Sequence, residues 1–77
     1  MPSEVRPGLH HLNARWELIY KEDGVRRRAL IRESTAIEHR PRGHGGPLTD
    51  ADAVRVAIDM GVDPYEIVSL NDFTRGR

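Results

Sequence analysis

The chain has 77 residues, with four histidines, no cysteine, and twelve Lys and Arg residues that balance twelve Asp and Glu residues. This length allows one small domain, which buries only about 60% of its unfolded surface, and the composition excludes disulfides and thiolate metal sites. No apolar run approaches the ~18 residues of a membrane span and the N-terminus does not resemble a signal peptide, so we expect a cytoplasmic protein without membrane contact.

Residues 1–14 combine Pro2, Pro7 and Gly8 with little periodicity, which predicts an extended or disordered arm. The pair His10-His11 in this arm matches no zinc-ligand spacing, so we expect no metal site. A single domain is predicted over residues 15–73, followed by a disordered tail over residues 74–77.

A β-hairpin is predicted from residue 15 to residue 32. Apolar and polar residues alternate from Trp16 to Lys21, and Asp23-Gly24 is typical of a two-residue type I′ turn. With that turn, paired residue numbers sum to 47, which places Trp16 opposite Ile31 on the core face.

The same register divides the basic residues of the hairpin between its two faces. Lys21, Arg26 and Arg28 fall on the face away from the core. Arg27 falls on the core face opposite Tyr20, where its guanidinium could lie over the ring. The outer face could bind phosphate groups, and the alternative is a solvated strand face with cross-strand ion pairs.

The residues after the hairpin predict a short strand and then a loop. Thr35 to His39, with Ile37 at its centre, can supply a third strand, and residues 40–48 predict a flexible loop. Arg40, Arg42 and the glycine amides could close over an anionic ligand, although a plain linker is the alternative. The loop lacks P-loop and dinucleotide-binding motifs, so no cofactor is expected.

A helix is predicted from Asp50 to Met60. Thr49 and Asp52 fit a capping box, and Gly61 fits the position that ends a helix. The helix is apolar around most of its circumference, so it must be covered by the sheet and by a further helix or another subunit.

A second helix is predicted over residues 65–73, with Asp63-Pro64 as its start. Apolar residues recur at a spacing of three, at Ile67, Leu70 and Phe73. A strand with a break at Asn71-Asp72 is the alternative. Two capped helices around Gly61 have helix-turn-helix spacing, but residues 64–69 contain no Arg or Lys to meet DNA.

Together these elements predict an α+β fold: a β-hairpin or three-stranded antiparallel sheet packed against two C-terminal helices. An enzyme is not expected, because no Ser or Thr has the context of a nucleophile. The paired carboxylates of Asp50 and Asp52 lie in the first turn of the predicted helix. Their favourable interaction with the helix dipole is sufficient to explain them without a catalytic role.

The charges are segregated along the chain: residues 1–48 hold nine basic and six acidic residues, whereas residues 49–72 hold one basic and six acidic. We therefore expect a small non-enzymatic binding or regulatory protein, a homodimer, that contacts nucleic acid. The alternative is a protein-interaction module or accessory subunit that binds an acidic protein surface. The predicted contact residues are Arg26, Arg27, Arg28, Arg32, Arg40 and Arg42.

Overall fold

The computed structural model describes residues 13–75. The elements wholly within this range are β1 (Trp16–Glu22), β2 (Val25–Ile31), α1 (Glu33–Glu38), α2 (Asp50–Asp59), a 3₁₀ turn (Pro64–Glu66) and β3 (Ile67–Asp72). The strands form an antiparallel sheet in the order β2-β1-β3, so the predicted α+β class is confirmed. The predicted arm up to residue 12 and the last two residues of the predicted tail lie outside the described residues.

The hairpin of β1 and β2 has the predicted turn and register. Asp23 and Gly24 both have positive φ, 54° and 79°, as a type I′ turn requires. Every pair along the ladder, from Glu22 opposite Val25 to Trp16 opposite Ile31, has numbers that sum to 47. The two-residue turn therefore fixes which side chains face the core.

Replacing Gly24 with valine should destabilise the fold by about 1–2 kcal/mol, because a β-branched residue resists positive φ. No other atom lies within 4 Å of a Cβ at this position, so the cost comes from the backbone alone. Gly45→Val is the matched control, since Gly45 is also surrounded by open space and its φ is not in the left-handed region. Equal urea midpoints for the two variants would contradict the turn assignment.

The core lies between the inner face of the sheet and the two helices. Trp16 and Leu18 from β1 are fully buried, and Ile31 from the end of β2 packs beside them. The helices cover this face with small or medium apolar side chains, namely Ala36, Ala53, Val56 and Ala57. The predicted apolar helix is thus covered on its sheet side, while Ile58 and Met60 stay exposed.

The ends of α2 form as predicted. The capping box is present, and the N–H of Thr49 donates to the carboxylate of Asp52 at 2.8 Å. Gly61 has a φ of 101°, and the N–H of Val62 donates to the carbonyl of Ala57 at 3.0 Å, which is the hydrogen bond of a Schellman motif. No helix among the described residues is long and apolar enough to cross a membrane.

The prediction of a third strand at Thr35 to His39 is wrong, because this segment lies in and just after helix α1. A strand would have buried Ile37, but Ile37 is exposed and its neighbour Ala36 is buried against the core. The third position in the sheet belongs to β3, which pairs with the other side of β1. A single apolar residue was too weak a signal to distinguish the two structures.

The predicted helix over residues 65–73 is also wrong. Asp63 does cap a helical turn, accepting a hydrogen bond from the N–H of Tyr65, but that turn ends at Glu66 and strand β3 follows. A bulge shifts the register of β3, so that Ile19 pairs with Ser69 and Tyr20 with Ile67. Because a 3₁₀ turn and strand β3 follow Gly61, residues 49–70 do not form the predicted helix-turn-helix.

Candidate nucleic-acid interface

The outer face of the sheet carries a row of basic side chains along the edge strand β2. Arg26 and Arg28 alternate with the core-facing residues of β2, and Arg26 pairs directly with Lys21 of β1. The backbone of Arg32 is extended, with φ −89° and ψ 156°, and therefore continues the alternation beyond the strand. We call Lys21, Arg26, Arg28 and Arg32 the basic row.

The members of the basic row differ in their ion pairs. The Nε of Arg28 lies 2.8 Å from a carboxylate oxygen of Glu17, also on the outer face. Arg26, Arg32 and Lys21 are exposed and have no ion pair within residues 13–75. Lys21 and Arg26 pair directly across the ladder, so two like charges face each other at this end of the face, an arrangement that costs the sheet some stability.

Arg27, although predicted as part of the same cluster, lies on the other face of the sheet. It pairs with Tyr20 across the ladder, as expected, but its Nε lies 3.4 Å from Glu22. The cation–π contact found among the described residues is that of Arg15, whose guanidinium carbon lies 4.8 Å from the centre of the Trp16 ring. The structure therefore separates Arg27 from Arg26 and Arg28.

Arg40, also predicted as a contact residue, makes structural contacts within the fold. Its guanidinium is almost buried and contacts Asp52 at 3.1 Å through Nε. Its terminal nitrogens donate to the carbonyls of Gly46 and Pro47 at 3.0 and 2.9 Å. The hydrogen bond from Arg40 and that from the N–H of Thr49 lower the pKa of Asp52. Arg40 thereby ties the loop to the start of α2, and the flexibility of residues 40–48 stays a prediction.

Arg42 lies in the same loop, exposed, with no ion pair in the described part of the chain. Of the six predicted arginines, the sheet therefore gathers Arg26, Arg28 and Arg32 on one face.

The side chain that the predicted site omitted is Lys21. The signal for it was present in the hairpin register, which places Lys21 directly opposite Arg26. Arg15 was not predicted as an interaction centre, because its partner Asp72 lies 57 residues away in sequence.

A pocket of about 400 Å³ lies between the hairpin turn and the connection from α2 to β3. Four carboxylates line it, from Glu22, Asp23, Asp63 and Glu66, which does not suit a phosphate-bearing ligand. Among residues 13–75 there is no group of three or more His, Cys, Asp or Glu side chains that could hold a metal ion.

Comparison of the chain with protein-family models, with curated proteins and with solved structures finds no match.

Proposed function

We propose that this protein is a small non-enzymatic binding protein that contacts nucleic acid through the basic row. The observation that carries the proposal is the alignment of Arg26, Arg28 and Arg32 on one exposed face, with Lys21 beside them. Same-face residues of a strand lie about 7 Å apart, so the row extends for about 20 Å from Arg26 to Arg32. The spacing of about 7 Å between Arg26 and Arg28 is comparable with the distance between successive phosphates along a nucleic-acid strand, whereas Leu30 occupies the position between Arg28 and Arg32.

The chemistry of the row supports contact with the backbone of nucleic acid and not with its bases. Arginine forks bind phosphate oxygens in pairs, and each neutralised phosphate releases counterions. The aromatic rings of the hairpin, Trp16 and Tyr20, lie on the inner face, so they offer no stacking platform to bases at the row. We therefore expect binding with little dependence on sequence.

A protein with an acidic surface is the second candidate partner. Leu30 lies between Arg28 and Arg32 on the outer face and is exposed, and Ile19, which pairs with Arg28 on the same face, is half-buried. Apolar side chains flanked by arginines are typical of protein interfaces, whereas phosphates gain little from apolar contact. In either case we propose that the protein acts as a homodimer in the cytoplasm.

The test is fluorescence anisotropy with a labelled 20-base-pair duplex and a 20-nucleotide single strand between 50 and 200 mM salt. If all four basic side chains contact phosphates, the slope of log K against log salt for the duplex should be about −3 to −4. Arg26→Gln should weaken binding and reduce the magnitude of the slope by about 1.

Arg27→Gln is the matched control, because it removes the same charge from the adjacent residue on the other face of the sheet. An equal loss of affinity in the Arg26→Gln and Arg27→Gln variants would mean that binding depends on the total charge of the protein and not on the basic row. The absence of binding at 50 mM salt, where screening is weak, would exclude nucleic acid and favour the protein partner.

A further inference from the structure

Strand β3 forms one edge of the sheet, because the strand order within the described residues is β2-β1-β3. The N–H of Phe73 donates to the carbonyl of Arg15 at 2.7 Å, which continues the ladder one residue beyond the Trp16–Asp72 pair. The N–H groups of a strand point alternately to its two sides. Because the N–H of Phe73 points towards β1, those of Asp72 and Leu70 point away from β1, to the open edge.

The open edge of β3 offers backbone groups to another strand. At its end, the carbonyl of Asp72 accepts a hydrogen bond from the N–H of Arg75 at 3.0 Å, which closes the edge there. No element of residues 13–75 pairs with this side of β3 at Leu70. The N–H and the carbonyl of Leu70 are therefore left to water or to a strand from outside the domain.

Charge distinguishes this edge from the other edge of the sheet. The other edge strand, β2, carries Arg26, Arg27 and Arg28 in succession. Such charges protect an edge, since pairing of two copies of β2 would bring like charges together. Strand β3 has no charged residue and no proline from Ile67 to Asn71. Of the two edges, β3 is therefore the one that is electrostatically compatible with a second copy of itself.

We infer that two copies of this chain associate by antiparallel pairing of their β3 edges about Leu70. A twofold axis at this position lets Leu70 of each copy exchange N–H···O=C hydrogen bonds with Leu70 of the other. The half-buried Leu70 side chains, which pack against the core, would also cover each other. The same register places Ser69 opposite Asn71 of the second copy on the outer face, where both side chains are uncharged and polar.

The pairing would join the two sheets into one of six strands, in the order β2-β1-β3-β3-β1-β2. It involves fewer residues than a standard interface, which covers about 800 Å² on each partner, so we expect micromolar affinity. A twofold axis perpendicular to the sheet places both basic rows on the same side. One nucleic-acid molecule could then contact both rows. That consequence rests on the proposed nucleic-acid function, whereas the pairing rests only on the proposed homodimer.

Two double variants test the pairing by analytical ultracentrifugation from about 1 to 100 μM, without nucleic acid. Ser69→Lys with Asn71→Lys places like charges opposite each other across the twofold axis, so the dissociation constant should rise about tenfold. Ser69→Glu with Asn71→Lys is the matched control, because it places opposite charges there and should keep the parent affinity or improve it. Both positions are exposed, and Asn71→Lys, common to both variants, faces Glu17 within its own subunit.

Amide hydrogen exchange measured by NMR locates the contact. At about 100 μM the Leu70 amide should be protected in the parent and should exchange about tenfold faster in the variant with two lysine substitutions. The Phe73 amide, which bonds to β1, should stay protected in both and reports an intact fold.

The possible outcomes separate this inference from the proposed function. A monomer at 100 μM would overturn both the β3 pairing and the proposed homodimer. A dimer that the two double variants retain equally would keep the homodimer and overturn the pairing through β3. Protection of the Leu70 amide in a monomer would mean that the edge is covered within one chain, and would also overturn the inference.

Discussion

Replacing Trp16 with alanine should destabilise the protein by about 3–5 kcal/mol, which is enough to unfold much of the population. The Trp16 side chain has no solvent exposure and is the largest in the core, where it packs with Leu18 and Ile31 against the two helices. Its indole N–H also donates to Asp50 at the start of α2, at 3.3 Å. A domain of this size has a total stability of roughly 4–11 kcal/mol. The cavity created by Trp16→Ala would therefore remove a large part of that stability.

The measurement is urea unfolding followed by circular dichroism, because Trp16 is the chain's single tryptophan and its replacement removes the fluorescence signal. Trp16→Phe keeps most of the packing and loses the hydrogen bond, so it should cost less than Trp16→Ala. Tyr65→Ala is the control for loss of an aromatic ring, since Tyr65 is 95% exposed and should contribute almost nothing. Similar midpoints for Trp16→Ala and Tyr65→Ala would contradict the assigned core.

The hairpin could be predicted from the sequence because its determinants are local. The Asp23-Gly24 turn fixes the loop at two residues, and this fixes every pair from Trp16–Ile31 onwards. The caps of α2 are equally local, because Thr49, Asp52 and Gly61 act within one turn of the helix ends. Both predictions were confirmed for this reason.

Strand β3 was only the alternative to the predicted helix, because a bulge imitates the spacing of a helix. Ile67 and Leu70 are three residues apart, which places them on one side of a helix and on opposite sides of a regular strand. The shift of register between them adds one residue, so both pack against the core. The bulge depends on pairing with β1, almost fifty residues earlier, and no local pattern reports it.

The candidate site was predictable only where strand alternation applies. Alternation separates Arg26 and Arg28 from Arg27, and the structure agrees with that division. Arg40 and Arg42 lie in a loop without periodicity, so no sequence pattern distinguishes one from the other. Arg40 is held in the fold and Arg42 is exposed because Asp52, twelve residues beyond Arg40, binds the guanidinium of Arg40.

A second large effect is expected at Asp72, whose carboxylate joins the end of β3 to the start of β1. Asp72 is buried and accepts hydrogen bonds from Arg15 at 3.2 Å and from the side chain of Thr74 at 2.7 Å. Arg15 also binds Glu33 at 3.0 Å, so this cluster links the sheet to α1. The hydrogen bond to Asp72 raises the pKa of Arg15.

The same contacts give Asp72 an unusual acidity. Burial alone would raise the pKa of Asp72, but the hydrogen bonds from Thr74 and Arg15 outweigh it and lower the pKa to about 2, from an ordinary value of 3.8. A carboxyl whose pKa is lower in the folded state stabilises the fold above its unfolded pKa. That contribution is lost as the pH falls through the folded pKa.

Asp72→Asn should therefore cost about 2–3 kcal/mol at pH 7, since the partly buried guanidinium of Arg15 loses its buried charged partner. The difference in unfolding free energy between the parent and this variant should stay constant down to about pH 4 and then shrink towards pH 2. Asp23→Asn is the matched control, because asparagine suits the positive φ of that exposed turn residue and should leave stability nearly unchanged. A difference between the parent and Asp72→Asn that is small at pH 7, or that grows below pH 4, would mean that Arg15 and Thr74 do not hold this carboxylate in its charged form.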